Sequence, residues 1–143
     1  MHQDMLMPLP TDTCHDEVLQ AARRLVEAFA SNDTERYFAA FSPQATFVFH
    51  TTGEVLSDRA TYRALWDGWQ EDGLRVLACE SREPRVSVLG DVAIFIHEVA
   101  TRVSLAGTLS DSLERETIVF HRQPEGGWLA VHEHLSPRPV GQA

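Results

Sequence analysis

LERETIVFHRQPEGGWLAVHEHLSP, residues Leu113 to Pro137, decides how this chain reads. Thr117, Ile118, Val119 and Phe120 are β-branched or aromatic and suit a pleated surface. Gln123-Pro124-Glu125-Gly126-Gly127 is a turn cluster, in which proline presets φ and the glycines admit φ > 0. From Trp128 the residues alternate, Leu129, Val131, Glu133 and Leu135 against Trp128, Ala130, His132 and His134. Period-two alternation sends the two sets to opposite faces, so the stretch is a β-hairpin.

Upstream of the hairpin, Val92 to Leu105 is a long strand. It carries Phe95, His97 and Val99 on one face and Ile96, Glu98 and Ala100 on the other. Ala106 to Ser112 is expected to be a loop, and Gly90-Asp91 a turn. Leu74 to Glu80 and Pro84 to Leu89 form one strand with an irregularity at Glu83-Pro84, because proline cannot donate to a ladder. Gln44 to Thr51 is the first strand, with Ala45, Phe47 and Phe49 on one face. Thr52-Gly53 then turns the chain toward a short partner, Glu54 to Leu56.

Three helices are expected. Thr13, with Asp16 and Glu17 behind it, starts the first, whose apolar face holds Val18, Ala22, Leu25 and Phe29. Thr34 to Phe41 is the second. Ser57 or Asp58 caps the third, which runs to about Asp72 with Tyr62, Leu65, Trp66 and Trp69 in one stripe. Core packing accounts for that stripe, and Tyr62 or Trp66 bordering a cavity is the functional reading of it. Residues 1–11, with no apolar period, read as a disordered arm, 12–137 as one domain and 138–143 as a tail.

The composition bounds the function classes. A chain of 143 residues with 43% hydrophobic and 23% charged residues is an ordinary globular domain. Its formal charge of −9 argues against nucleic acid or an anionic membrane as partner, since both require a basic footprint. Cys14 and Cys79 have no metal-type spacing and read as reduced thiols, with the cytoplasm as the expected location. There is no phosphate loop, zinc spacing or Cys-His pair, and no cofactor is expected.

Glu116-Thr117-x-Val119-x-His121-Arg122, the turn with Gly127-Trp128, and Val131-His132-x-His134-x-Ser136 together resemble the end of the NTF2-like (SnoaL-like) superfamily. Within it they are most similar to the association, or hub, domain of calcium/calmodulin-dependent protein kinase II and its small bacterial relatives. The resemblance extends back to about His15 and implies an α+β fold, a cone of curved antiparallel sheet with three N-terminal helices over its concave face, usually dimeric. The superfamily spans enzymes, ligand binders and assembly modules, so fold alone does not assign function.

Carried over from the hub domain, its cationic pocket positions fall at Glu98, Ile118, Leu135 and Asp58, none of which is basic, so a carboxylate ligand is not expected. The same parity places Ile96, Glu98 and Ala100, then Glu116, Ile118 and Phe120, then Val131, Glu133 and Leu135 inside. Glutamates sharing an apolar hollow cannot all ionise, which is how an acid or base working near neutrality is made. Glu98 and Glu116 are accordingly the expected catalytic residues. Asp58, Tyr62, Trp66, Ile96, Ile118, Phe120, Glu133 and Leu135 are the expected ligand-binding set. The competing reading is that the glutamates pair with Arg102, Arg115 or Arg122, or sit solvated at the rim. In ketosteroid isomerase, a member of the same superfamily, the base is a first-strand carboxylate; Phe49 or His50 stands there in this chain.

His97, His121, His132 and His134 are expected on the other face, which the resemblance makes a packing surface between subunits, although four imidazoles on one face also suit a metal. Two functions follow. One is binding of a small apolar molecule, neutral or weakly cationic, with proton transfer or hydrolysis as the natural chemistry. The other is a homo-oligomeric assembly module without catalysis.

Overall fold

In the computed structural model, which describes residues 11–139, the order is α1 Thr11–Ala30, α2 Thr34–Ala39, β1 Phe41–Phe49, α3 Arg59–Glu71, β2 Leu74–Leu89, β3 Val92–Leu105, β4 Thr108–Arg122 and β5 Trp128–Pro137. The five strands form one sheet in the order β1-β5-β4-β3-β2. The β2–β3, β3–β4 and β4–β5 pairs are antiparallel. β1 lies parallel to β5, so the sheet is mixed at that edge. The expected arm lies outside the described residues except for Thr11, which already belongs to α1.

Each helix has a physical reason to stand where it does. α1 buries Val18, Ala21, Ala22, Leu25 and Ala28. Asn32, at φ 60, ends the α1 corner. Its amide donates to the Val76 carbonyl at 2.9 Å and accepts from the Val76 N–H at 2.8 Å, imitating a strand partner for β2. Asp33 caps α2, and Asp58 rather than Ser57 caps α3. Trp128 Nε1 donates to Glu17 Oε1 at 3.0 Å and so ties the last hairpin to α1.

The expected loop from Ala106 to Ser112 is corrected. The turn is only Ala106-Gly107, at φ 51 and φ 90, and Leu105 already pairs with Thr108. Two consecutive residues at positive φ form the turn whose twist suits a two-residue hairpin. Thr108 to Ser112 continue β4 as an exposed ribbon without apolar alternation. The expected irregularity in β2 is present: Glu83 has φ 51, and the register against β3 shifts between Arg82 and Arg85.

The short turn resets which residues of β3 face inward. His97 pairs with Glu116 and Glu98 with Arg115. Ala93, Phe95, His97 and Val99 are buried on the helix-covered face. Ile96, Glu98 and Ala100 therefore point the other way, and Ile96 is 37% exposed. The expected inward aim of these three is overturned, because the large apolar Phe95 and Val99 take the core and bring His97 with them. A register shift between Val119 and Phe120 sets β5, so that Val119 faces His132 and Phe120 faces Ala130. Val131 is then the extra residue of a bulge, while Glu133 remains inside.

Candidate functional site

A cavity of about 190 Å³ lies between the helices and the inner sheet face. Its aromatic walls come from Phe29 of α1, Tyr37 of α2, Phe49 of β1, and Tyr62, Trp66 and Trp69 of α3. Val99, Thr101 and Val103 of β3 and Cys79 of β2 form the floor on one side. Glu114 and Glu116 of β4 and Glu133 of β5 supply the carboxylates. Period-two alternation puts Glu114 and Glu116 on the same face, and Glu133 is the cross-strand partner of Ile118.

The three acids have different surroundings. His50 Nε2 lies 2.6 Å from Glu114 Oε2 at the exposed rim. His97 Nε2 lies 2.7 Å from Glu116 Oε1, and His97 Nδ1 lies 2.6 Å from Ser81 Oγ. His97 is only 1% exposed, so this Ser81–His97–Glu116 chain crosses the wall behind the cavity, from an exposed serine on β2 to a carboxylate inside. With one proton on the ring and Glu116 ionised, Nε2–H donates to Glu116 and Nδ1 accepts from the Ser81 hydroxyl.

Glu133 is 2% exposed, and its Oε2 is buried without a hydrogen-bond partner. Burial first, and the nearby Glu116 second, push its carboxyl well above the usual range. The Tyr37 and Tyr62 hydroxyls bond to each other at 2.7 Å. Burial drives both phenols far up, with Glu133 adding to the effect, so they remain protonated donors. The Cys79 thiol is pushed up to about 11 by burial and is not a thiolate near neutrality. Proton donors and acceptors thus meet in one apolar enclosure, which is the requirement for acid–base chemistry.

The cavity brings together Tyr62, Trp66, Glu116, Glu133 and Leu135 of the expected set. The remaining expected positions fall elsewhere. Glu98 accepts from Arg138 Nε at 2.7 Å and lies 3.7 Å from Arg115 on the outer face, and Arg138 holds its carboxyl below the usual range. Asp58 is occupied in capping Thr61. Ile96 is on the outer face, while Ile118 and Phe120 are packed in the core away from the cavity lining. His97 is separated from His121, His132 and His134, so the four-histidine face does not form. Among the described residues no group of three or more metal-ligand side chains is assembled. Sequence reading missed Tyr37, Glu114, His97 and Ser81. The signal for His97 was the Ala106-Gly107 pair, since a two-residue turn there fixes His97 opposite Glu116.

A family model described as SnoaL-like domain matches residues 18–140. A search of the curated proteins finds no match. Among solved structures, the chain is similar to an NTF2-like protein of unknown function in nutrient uptake from Rhodospirillum rubrum. That pair is 22% identical with a TM-score of 0.74, over 85% of this chain and 98% of that one. The CaMKII hub of S. rosetta is 23% identical with a TM-score of 0.72, over 86% of this chain and 95% of that one. A ketosteroid isomerase-like protein from Erwinia carotovora atroseptica is 14% identical with a TM-score of 0.74, over 87% and 95%. At such identities these likenesses establish the fold alone.

Proposed function

The chain belongs to the SnoaL-like domain family, and from that premise we propose that its cavity binds a small, largely apolar molecule, neutral or weakly cationic, oriented by Glu133 and Glu116. The observation that carries this reading is Glu133 Oε2, unpartnered and buried in a hollow lined mainly by rings and aliphatic groups, where Glu114 and Glu116 each already face a histidine. Leaving such an atom unsatisfied costs about 1–3 kcal/mol, which a ligand's donor recovers. Glu98, the expected orienting residue, gives up that role to Glu133 because Arg138 and Arg115 already engage it outside.

The chemistry that suits the site is proton transfer on a bound carbonyl, or hydrolysis. With a neutral carbonyl compound bound, Glu133 acts as the acid, since burial raises its carboxyl above the usual range. Glu116, backed by His97 and Ser81, acts as the base. The chain contains no lysine, so a Schiff-base route is not available to it. A thermal-shift screen of small carbonyl, ester and amine compounds tests the reading. Hits should be lost in Leu135→Trp, which fills the hollow, weakened about tenfold or more in Glu133→Leu, and kept in Glu98→Gln. Hits that survive Leu135→Trp would place the site elsewhere.

The second reading is an assembly module, favoured by the likeness to the CaMKII hub of S. rosetta. The outer sheet face with His121, His132 and His134 is then the surface for a homodimer. Under this reading sedimentation shows a dimer that His132→Ala or His134→Ala weakens, and no compound in the screen stabilises the protein.

A further inference from the structure

Resting on the reading of the hollow as a ligand site, we propose that its ligand is a compact alkylammonium ion whose charge is met by the Glu133 carboxylate and whose alkyl groups are met by the aromatic wall. The first ground is a mismatch of partners. Each of the other two acids on the wall has a base: His50 at 2.6 Å for Glu114 and His97 at 2.7 Å for Glu116. Among the described residues no arginine lines the cavity, and the chain has no lysine. Glu133 alone is left without a counter-charge, at 2% exposure and with Oε2 unpartnered.

The second ground is the wall. Phe29, Tyr37, Phe49, Tyr62, Trp66 and Trp69 surround the space, and ring faces attract a desolvated cation. A hard metal ion would need six or so oxygens, whereas a weakly hydrated organic cation needs one carboxylate and apolar contact. The volume of about 190 Å³ equals roughly six waters at about 30 Å³ each, which suits a ligand of about that many heavy atoms or slightly more.

The bound cation replaces a proton. The titratable groups facing Glu133 are Tyr37 from α2, Tyr62 from α3, Glu114 and Glu116 from β4 with His50 and His97 behind them, and Cys79 from β2. The cavity residues of α1 and β1 are Leu25, Val26, Phe29 and Phe49, none of them ionisable. The phenols and the thiol stay neutral through the working range, since burial drives all three up. Without ligand, burial and then Glu116 push the Glu133 carboxyl well above the usual range, toward its protonated form. A permanent cation then expels that proton into solvent. Its affinity rises with pH by up to about tenfold per unit until Glu133 is already ionised.

Calorimetry with choline and its uncharged isostere 3,3-dimethylbutan-1-ol tests this on the whole chain. Near pH 7.5 the cation should bind at least about tenfold more tightly, with the advantage shrinking toward about pH 5.5. Buffers of different ionisation enthalpy should report release of one proton. Glu133→Gln should still melt cooperatively and take up the alcohol, but lose both the preference for the cation and the proton release. The proposal is overturned if the alcohol binds as tightly as choline in the wild type at both pH values, or if choline's affinity is flat with pH. Binding of the alcohol alone, abolished in Leu135→Trp, would leave the hollow standing as a ligand site for neutral molecules. If neither compound binds at millimolar concentration, the ammonium proposal fails, and the compound screen decides the fate of the site separately.

Discussion

At Glu133 the folded state holds a carboxyl whose ionisation is opposed first by burial and then by Glu116. The unfolded chain has no such opposition, so the folded value lies above the unfolded one. The stabilising contribution is complete below the unfolded value of about 4.3 and is lost as pH rises through the folded one, with a slope of at most about 1.4 kcal/mol per unit between them. Melting curves from about pH 5 to 8 should show the wild type falling relative to Glu133→Gln, whose amide has no charge to bury. A wild type that tracks the variant across that range would mean Glu133 ionises freely. His97→Phe should cost about 1–3 kcal/mol by denaturant melts, because it strands the Glu116 carboxylate inside. Much of this site was readable beforehand. Alternation put Glu133 and Leu135 on one face of the last strand, the resemblance to the hub domain set Glu116 on the same side, and helical spacing grouped Tyr62 with Trp66. His97 and Glu98 were interchanged because polarity was set against apolar neighbours on both faces. A buried imidazole with two partners looks no different, in sequence, from a solvated one.

The elements themselves were legible wherever their ends carry turn or cap chemistry. Asp58, Gly73, Gly90-Asp91 and Gly126-Gly127 mark real boundaries. The start of β4 was hidden, since Ala106 is not a residue expected at positive φ and Thr108 to Ser112 have no buried face to set a period. Ala106 at φ 51 stores strain of about 1 kcal/mol. Ala106→Asn creates the Asn-Gly pair this turn prefers and should raise stability by about 0.5–1 kcal/mol, seen as a melting temperature some degrees higher. At the α1 corner the effect runs the other way. Asn32→Ala removes both hydrogen bonds to Val76 and keeps an unfavourable φ. It should cost about 2–3 kcal/mol by denaturant unfolding, far more than an ordinary exposed substitution.

For the molecule as a whole, the charge of −9 opposes any association of copies through the outer sheet face. His132 sits on that face, 2.8 Å from Thr46 Oγ1 on the neighbouring strand. Burial first, then His134, lowers its pKa. Its contribution is therefore present above the unfolded value of about 6.5 and is lost as pH falls through the folded one. If copies pair through this face, sedimentation should show dissociation as pH drops from about 7 to 5, and His132→Gln should flatten that response. The expected short partner Glu54 to Leu56 is only an isolated bridge of Leu56 with Phe47, while the three helices and five long strands were legible. The parallel pairing of β1 with β5 was not, since no local pattern states which distant strand becomes a neighbour.

That pairing has a consequence for synthesis. Thr46 meets His132 only after 86 more residues have been added. At about 5–20 residues per second, the ribosome leaves β1 waiting roughly 4–17 seconds for the strand that will hold it. Through that interval Phe47 and Phe49 lack β5, and the ring that packs on both, Tyr62 of α3, is itself made after them. Slow decoding within β4 would lengthen the exposure of this nascent hydrophobic stretch to chaperones and proteases, and fast decoding would shorten it.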